Sequence, residues 1–225
     1  MSSSASSLFS VLNKNVLITG GSRGIGQMLA TGFSSHGANV LLTSRTEPSS
    51  IPGHGHGHPR CQFVSSNLST RDGCEALASY AKSHFDGKLD ILINNAGTSW
   101  GEDMDRESSS RMNWGWDKVL DLNVKGIFYL TRACAPLLER ERRGCRDDDP
   151  GRVINIGSVA GFVPQEAPTH AYDISKAAVH HLTKKLAGDL AGRGITVNAV
   201  APGYVKTRMS DGLASWVEGG VEGKI

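Results

Sequence analysis

The chain has 225 residues, of which 39% are hydrophobic and 20% are charged, and its formal net charge is +2. This length suffices for one sizeable α/β domain, and so small a charge gives no reason to expect a nucleic-acid partner or an anionic membrane surface. No apolar run approaches the about 18 residues of a membrane span. The serine-rich residues 1–10 lack the basic and apolar parts of a secretory signal, so we interpret them as a flexible start.

The four cysteines form no C-x-x-C pair and no spacing typical of a zinc site. Isolated cysteines of this kind are typical of reduced thiols with structural roles at best. The sequence therefore predicts a cytoplasmic protein without a metal centre.

Apolar strand patterns alternate with helical patterns along most of the chain. Short apolar runs predict buried strands at residues 15–19, 39–43, 62–64, 89–93, 152–156 and 195–200. Helical periodicity lies between most of them, at residues 25–36, 72–85, 116–140 and 171–190. This alternation predicts an α/β fold, a Rossmann-type doubly wound parallel sheet, as a single domain over residues 11–209.

Two connections are predicted as loops. Residues 48–59 hold too many prolines and glycines for a helix, and the alternating Gly-His pattern at residues 53–58 suggests either a metal site or a flexible loop. We favour the flexible loop, because the segment itself contains no cysteine or carboxylate. Residues 144–151, with three consecutive aspartates, form a second exposed loop.

The first strand is followed by a glycine-rich turn at residues 19–26. Gly20, Gly24 and Gly26 permit a tight turn and let the backbone approach a pyrophosphate. The helix that follows offers free N–H groups and the positive end of its dipole. A glycine-rich turn alone is a weak signal, but its place between a buried strand and an amphipathic helix predicts a dinucleotide site.

The end of the second strand indicates which dinucleotide to expect. A chain that prefers NAD usually carries Asp or Glu about 20 residues beyond the glycines. This chain has Ser44 and Arg45 instead, with Arg23 inside the glycine loop. Two guanidinium groups suit a 2′-phosphate through charge-assisted hydrogen bonds, the alternative being two solvated arginines. We predict NADPH.

Tyr172 and Lys176 begin the last long helical pattern. Residues four apart share a helix face, so the phenol and the ammonium point into one space. A nearby cation favours the phenolate and brings the pKa of tyrosine, ordinarily about 10, closer to working pH. Such a phenol can give a proton to a carbonyl oxygen, although Tyr-x-x-x-Lys alone is common on helix surfaces.

Two further polar residues accompany this pair. Ser158 follows the fifth strand, at the carboxyl edge where doubly wound sheets bind ligands. Asn123 lies inside an apolar helical pattern, where it is either a functional group or a satisfied core amide. Together with Tyr172 and Lys176, these two residues provide the set of polar groups that a catalytic site needs.

These motifs together resemble the short-chain dehydrogenase/reductase family over about residues 8–210. The matching segments are residues 19–26, the Asn-Asn-Ala-Gly motif at residues 94–97, the stretch around Pro202 and Gly203, and a tetrad of Asn123, Ser158, Tyr172 and Lys176 in the family's order. The resemblance implies a cofactor site made of Gly20, Ser22, Arg23, Gly24, Ile25, Gly26, Ser44, Arg45, Asn67, Leu68, Asn95, Ala96, Gly97, Tyr172, Lys176, Pro202, Gly203, Val205 and Thr207.

The resemblance also implies a role for each member of the tetrad. Ser158 would bind the substrate oxygen, and Tyr172 would transfer the proton. Lys176 would lower the pKa of Tyr172 and bind the nicotinamide ribose, while Asn123 would hold a water that links Lys176 to solvent.

A narrower resemblance, in residues 94–101 and 152–161, is to the β-ketoacyl reductase branch associated with bacterial rhamnolipid synthesis. Members of that branch reduce 3-oxoacyl thioesters with NADPH. The function we expect is therefore reduction of a ketone, such as a 3-oxoacyl thioester, to a secondary alcohol. Two alternatives stay open: an NAD(P)-dependent alcohol or polyol dehydrogenase, and a non-catalytic nucleotide-binding protein.

The chain departs from the family pattern in two places. Asn67 stands where the family usually has Asp, and its neutral amide can still bond adenine. Glycine-rich residues 210–225 show no strand pattern, whereas family members continue through lid helices and a final strand. We expect that lid and strand to be missing. We also expect a homo-oligomer, in which the subunit interface that the family builds from the lid and strand is in question.

Overall fold

The computed structural model describes residues 10–51, 60–102, 104, 112–140, 149–207 and 209–210. Its strands are β1 (Asn15–Thr19), β2 (Asn39–Ser44), β3 (Cys61–Ser65), β4 (Ile91–Asn94), β5 (Gly151–Ile156) and β6 (Ile195–Val200). Its helices are α1 (Gly24–Ser35), α2 (Arg71–His84), α3 (Met112–Leu120), α4 (Gly126–Leu138) and α5 (His170–Ala191). The Gly-His loop, most of the loop at residues 144–151, and nearly all of the predicted start and tail lie outside the described residues.

The strands form one parallel sheet in the order β3-β2-β1-β4-β5-β6. This order confirms the predicted Rossmann-type, doubly wound fold. β1 pairs with β2 on one side and with β4 on the other, so the strand order reverses between β1 and β4. The crevice outside the carboxyl ends of the strands at such a reversal is where these sheets bind ligands. In the described part of the chain, every helix is too short or too polar to span a lipid bilayer.

The central strands β1, β2 and β4 are buried on both faces of the sheet. Alternate residues of a strand point to opposite faces, and in β1 Leu17 packs in a cluster with side chains of α2 and α4, among them Leu77 and Leu130. Val16 and Ile18 pack in a second cluster on the α1 side. Burial on both faces explains why these central strands appear in the sequence as continuous apolar runs.

The long helix predicted at residues 116–140 is interrupted. α3 ends at Leu120, a π-helical turn spans Asp121–Lys125, and α4 begins at Gly126. A single wide turn leaves the apolar stripe nearly continuous, so the sequence periodicity does not reveal it. Asn123 lies in this turn and is 1% exposed, and π-helical turns are frequent at functional sites.

A buried polar network ties β4 and β5 to α4 and α5. The amide of Asn94 donates to Oδ1 of Asn155 at 2.8 Å and to Oγ1 of Thr131 at 3.1 Å. The amide of Asn155 donates to Oγ1 of Thr183 at 2.9 Å. None of these side chains is more than 6% exposed, so each depends on the others for its hydrogen bonds.

We expect Asn155→Ala to lower the free energy of unfolding by roughly 1–3 kcal/mol, because one amide hydrogen of Asn94 loses its acceptor in a buried position. Urea unfolding measures this loss. Asn198→Ala, at an exposed position of β6, is the matched control and should stay within about 0.5 kcal/mol of wild type. Equal unfolding midpoints for Asn155→Ala and wild type would contradict the importance of the network.

Candidate active site

Two adjoining cavities open at the carboxyl ends of the strands. The larger, of about 760 Å³, extends from the glycine loop after β1 to the loops that follow β2 and β4. Its volume is in the range of roughly 300–1,000 Å³ that ligand sites usually have. The smaller, of about 110 Å³, lies between the loops that follow β5 and β6. Tyr172 lines both cavities, so they meet at its side chain.

The glycine loop is bound closely to the loop that follows β4. Gly20 has a φ of +70°, and a Cβ there would lie 2.7 Å from Cα of Ala96, so this position requires glycine. The side-chain amide of Asn95 donates to the carbonyls of Thr19 at 2.9 Å and Gly20 at 3.2 Å. The two loops therefore form one continuous floor under the larger cavity.

Thr19, which is absent from the predicted site, fixes the same junction. Its hydroxyl oxygen accepts hydrogen bonds from the backbone N–H groups of Asn95 and Ala96, each at 2.9 Å. The hydroxyl donates in turn to the carbonyl of Ile93 at 3.3 Å. The signal in the sequence was a hydroxyl residue that closes an otherwise apolar strand directly before the glycines.

Arg23 and Arg45 lie at the rim of the larger cavity with exposed side chains. Among the described residues, neither guanidinium has an ion-pair partner. Ser44 donates its hydroxyl to the carbonyl of Thr46 and lines the same rim. Both guanidinium groups are therefore available to an anion at this end of the cavity.

Tyr172 lies where the two cavities meet, and Lys176 lines the larger cavity with it, so the two side chains share one space as their spacing predicts. Nζ of Lys176 lies 5.5 Å from the centroid of the Tyr172 ring. The same atom donates to the carbonyl of Ile156, at the end of β5, at 2.7 Å. Lys176 is 5% exposed, and burial lowers the pKa of its ammonium to about 8, because surroundings of low dielectric disfavour the charged form.

The pKa of Tyr172 is shifted in the direction opposite to the one predicted. Burial raises the pKa of the phenol above its ordinary value, the neighbouring hydroxyl of Ser158 lowers it, and the Asp173 carboxylate raises it again. The predicted net shift toward a lower pKa is therefore wrong for this arrangement, because desolvation of the phenol outweighs the stabilisation of the phenolate. The phenol is protonated at neutral pH, which is the state that a proton donor requires.

Ser158 lines the smaller cavity beside Tyr172. Its hydroxyl oxygen accepts a hydrogen bond from the backbone N–H of Ala160 at 3.2 Å and so caps the short 3₁₀ helix Val159–Gly161. Because the oxygen already accepts from the backbone, the hydroxyl is oriented and its proton is available to an acceptor in the cavity. Ser158 is thus suited to bind a carbonyl oxygen.

Asn123 lies outside the lining of both cavities, as a satisfied core amide. Its Oδ1 accepts from the N–H of Thr98, and its Nδ2 donates to the carbonyl of Thr98 and to Oγ of Ser175, each at 2.9 Å. Ser175 donates to the carbonyl of Tyr172 at 2.7 Å. Asn123 therefore braces the turn of α5 that carries Tyr172 and Lys176, and its role in a water relay stays a prediction.

Comparison with known proteins agrees with this geometry. Residues 14–218 match the sequence model of the family described as short chain dehydrogenase. The chain belongs to the short-chain dehydrogenase family. The match includes the glycine loop, the Asn-Asn-Ala-Gly motif and the tetrad, so the resemblance inferred from these motifs is confirmed.

Several relatives of this short-chain dehydrogenase are named reductases. The rhamnolipid biosynthesis 3-oxoacyl-acyl-carrier-protein reductase of Pseudomonas aeruginosa is 41% identical over 209 residues, which cover 92% of this chain and 78% of the relative. The 3-oxoacyl-acyl-carrier-protein reductase FabG of Staphylococcus aureus is 34% identical over 207 residues, with 90% and 79% covered. A solved structure described as a Pseudomonas aeruginosa RhlG/NADP active-site complex has a TM-score of 0.76 at 39% identity, with 92% and 79% covered.

Most of the predicted site residues of this short-chain dehydrogenase line the two cavities. The larger is lined by Gly20, Ser22, Arg23, Gly24, Ile25, Ser44, Arg45, Asn67, Leu68, Asn95, Ala96, Gly97, Tyr172, Lys176 and Thr207. The smaller is lined by Ile25, Ser158, Tyr172, Pro202, Gly203, Val205 and Thr207. Gly26 and Asn123 line neither. A Cβ on Gly26 would lie 2.4 Å from the carbonyl oxygen of Gly20, so glycine is required here for close packing, and a contact of Gly26 with the cofactor stays a prediction.

The smaller cavity of this short-chain dehydrogenase also has a wall that the motifs did not predict. Gln165, Ala167 and Thr169 line it from the loop before α5. Asp173 fastens this loop to α5, because its carboxylate accepts from the N–H of Gln165 and from the hydroxyl of Thr169, each at 3.0 Å. The signal for this contact in the sequence was an aspartate in the first turn of a predicted helix. Such an aspartate is equally typical of a favourable interaction with the helix dipole.

Proposed function

We propose that this protein reduces a ketone to a secondary alcohol with NADPH and that Tyr172 supplies the proton. The observation that supports this most strongly is the meeting of two cavities at Tyr172, with the Ser158 hydroxyl on one side and the Lys176 ammonium on the other. The larger cavity has the size and the glycine floor for a dinucleotide. The smaller cavity brings a carbonyl group to the phenol.

The residues of the larger cavity fit NADPH. Gly20 leaves the backbone open to a phosphate, and α1 begins at Gly24 with no side chain capping its free N–H groups, which favours an anion there. Arg23 and Arg45 suit the 2′-phosphate, and NADP is named in the description of the Pseudomonas aeruginosa complex. When bound, NADPH supplies the hydride that reduces the carbonyl carbon.

The chain's own residues supply the proton and hold the substrate. The hydroxyl of Ser158 donates a hydrogen bond to the carbonyl oxygen. The phenol of Tyr172 then gives its proton to that oxygen as the carbon is reduced, which leaves a phenolate. The Lys176 ammonium, 5.5 Å from the ring centroid, stabilises the phenolate in surroundings where a charge pair interacts more strongly than in water.

We propose a 3-oxoacyl thioester as the substrate class. Two relatives from different bacteria are named 3-oxoacyl-acyl-carrier-protein reductases. The smaller cavity includes the apolar side chains of Val159, Ala160 and Met209, which suit the aliphatic part of such a substrate. No comparable observation favours a polyol.

Steady-state rates with paired substrates test this function. We expect NADPH-dependent reduction of a 3-oxoacyl thioester to be faster at neutral pH than NADP-dependent oxidation of the matching 3-hydroxyacyl thioester. A protein that binds NADPH in a fluorescence titration, yet turns over no ketone of a panel, would instead be a nucleotide-binding protein without catalysis.

The rate should fall as pH rises above about 8, where Lys176 loses its proton. A lysine is a cation below its pKa, so kcat/KM for NADPH should not change with pH below about 8. On the alkaline side it should decrease by up to about tenfold per pH unit. Lys176→Arg keeps the charge at higher pH, so its residual activity should lack this decrease. The same alkaline decrease in wild type and Lys176→Arg would exclude Lys176 as its origin.

We also propose that the protein acts in the cytoplasm and as a homo-oligomer. Cys61, Cys74 and Cys134 are free and buried, which suits a reducing compartment.

Trp114 of α3 is 53% exposed and Phe128 of α4 is 38% exposed, and exposed aromatic side chains on neighbouring helices are typical of a contact surface. Light scattering of the purified protein tests the subunit count.

A further inference from the structure

The imidazole of His180 lies against the loop that carries Ser158. His180 is in α5, four residues beyond Lys176 and eight beyond Tyr172, so the three side chains follow one side of the helix. Its Nε2 lies 2.9 Å from the backbone carbonyl oxygen of Ser158. A carbonyl oxygen only accepts, so Nε2 carries a proton and donates it.

The loop is shaped around this ring. A Cβ on Gly157 would lie 2.4 Å from Cε1 of His180, and a Cβ on Gly161 would lie 2.6 Å from its Cδ2. Neither contact is possible for a real side chain, so glycine at both positions is what admits the imidazole. Phe162 stacks on the ring, with centroids 4.1 Å apart and planes inclined by 21°. The segment from residue 157 to residue 162 therefore encloses the imidazole.

The hydrogen bond to His180 joins Ser158 to the helix that carries Tyr172. The other backbone bonds of the loop lead elsewhere: Gly157 donates to Val200 at 2.7 Å, and Val159 donates to Pro202 at 3.1 Å. The carbonyl of Ser158 also accepts from Gly161 within its own loop, at 3.1 Å. Among the backbone hydrogen bonds of residues 157–161, the bond with His180 is the one that reaches α5. It adds to the bond from Lys176 to the carbonyl of Ile156, which ties the end of β5 to the same helix.

We propose that His180 is a positioning residue that holds the Ser158 hydroxyl at a working distance from the Tyr172 phenol. The proposal rests on the function proposed above. A substrate oxygen must meet both groups at once, and misplacement of a reacting group by about 1 Å can cost up to a hundredfold in rate. His180 lines neither cavity, so its effect on the reaction passes through the backbone of Ser158.

The test is a double-mutant cycle between His180→Phe and Ser158→Ala, measured as kcat for NADPH-dependent ketone reduction. His180→Phe keeps an aromatic ring but removes the donor. We expect it to lower kcat roughly tenfold, with the Kd for NADPH unchanged, because only the placement of Ser158 is lost. In the Ser158→Ala background, the same change should lower kcat by less than about twofold, because the group it positions is already absent.

A pair of polar variants tests the proposal independently of how well His180→Phe folds. The terminal amide of Gln can replace Nε2, whereas the shorter Asn replaces only the position of Nδ1. We expect His180→Gln to recover most of wild-type kcat and His180→Asn to remain as slow as His180→Phe. His181→Phe, at the neighbouring exposed position, is the matched control and should be fully active, and thermal unfolding of every variant records its stability.

Three results would overturn the assignment of His180: wild-type kcat in His180→Phe, equal kcat in His180→Gln and His180→Asn, or an undiminished effect of His180→Phe in the Ser158→Ala background. The last result would mean a general structural role. Wild-type protein that reduces no ketone overturns the proposed function, and with it the role of His180, so the two failures are distinguished by the wild-type rate.

Discussion

Tyr172→Phe is expected to lower kcat for ketone reduction by roughly a thousandfold, because the variant keeps the ring and loses the proton donor. The Kd for NADPH should stay within about twofold of wild type, because the hydroxyl is a small part of the surface that lines the larger cavity. Stopped-flow or steady-state oxidation of NADPH gives the first quantity, and a fluorescence titration gives the second.

Tyr80→Phe is the matched control for this variant. Tyr80 is in α2, is 44% exposed and lines neither cavity. The control should retain wild-type kcat. Activity of Tyr172→Phe within a few-fold of wild type would contradict the assignment of the proton donor, whereas parallel losses of kcat and NADPH affinity would indicate damage to the site as a whole.

Removal of both rim arginines, in Arg23→Ala with Arg45→Ala, is expected to weaken NADPH binding by roughly a hundredfold. A hydrogen bond to a charged group contributes about 1.5–3 kcal/mol, and 1.4 kcal/mol corresponds to a tenfold change in Kd. Both side chains are exposed and salt screens their charges, so the two bonds together should contribute less than the sum of these free energies. The reduced sum corresponds to the hundredfold change in Kd. The Kd for NADH, which has no 2′-phosphate, should change by less than about threefold.

The comparison of the two nucleotides controls for indirect damage, since a distorted glycine loop would weaken both. Arg71→Ala removes an equal charge from α2, where Arg71 pairs with Glu75, and should leave the ratio of the two Kd values unchanged. Equal weakening of NADPH and NADH in the double variant would contradict a 2′-phosphate site at Arg23 and Arg45.

The fold could be predicted from the sequence because its determinants are local. The central strands β1, β2 and β4 are short apolar runs buried on both faces, and the bounds of β1 and β6 agree with the prediction to the residue. The glycine loop and the Tyr172–Lys176 pair are likewise set by spacing within one turn or helix. The π-helical turn at Asp121–Lys125 was missed, because a single wide turn does not change which residues are apolar.

The contacts that complete the site could not be predicted, because they join residues far apart in the chain. Thr19 bonds the loop at Asn95, and His180 bonds the loop at Ser158, and no periodicity in the sequence records either contact. The pKa of Tyr172 was predicted in the wrong direction for a related reason. A spacing of four residues reveals the neighbouring cation but not the burial of the phenol, which depends on the packing of several elements.

Ketone reduction by NADPH is tested most directly by a transfer experiment with wild-type protein, a 3-oxoacyl thioester and NADPH deuterated on each face of the nicotinamide in turn. We predict that one of the two labelled cofactors places deuterium on the carbinol carbon of the product, one label for each NADPH oxidised, as mass spectrometry would measure. Oxidation of NADPH without any label in a secondary alcohol, or binding of NADPH without product, would contradict it.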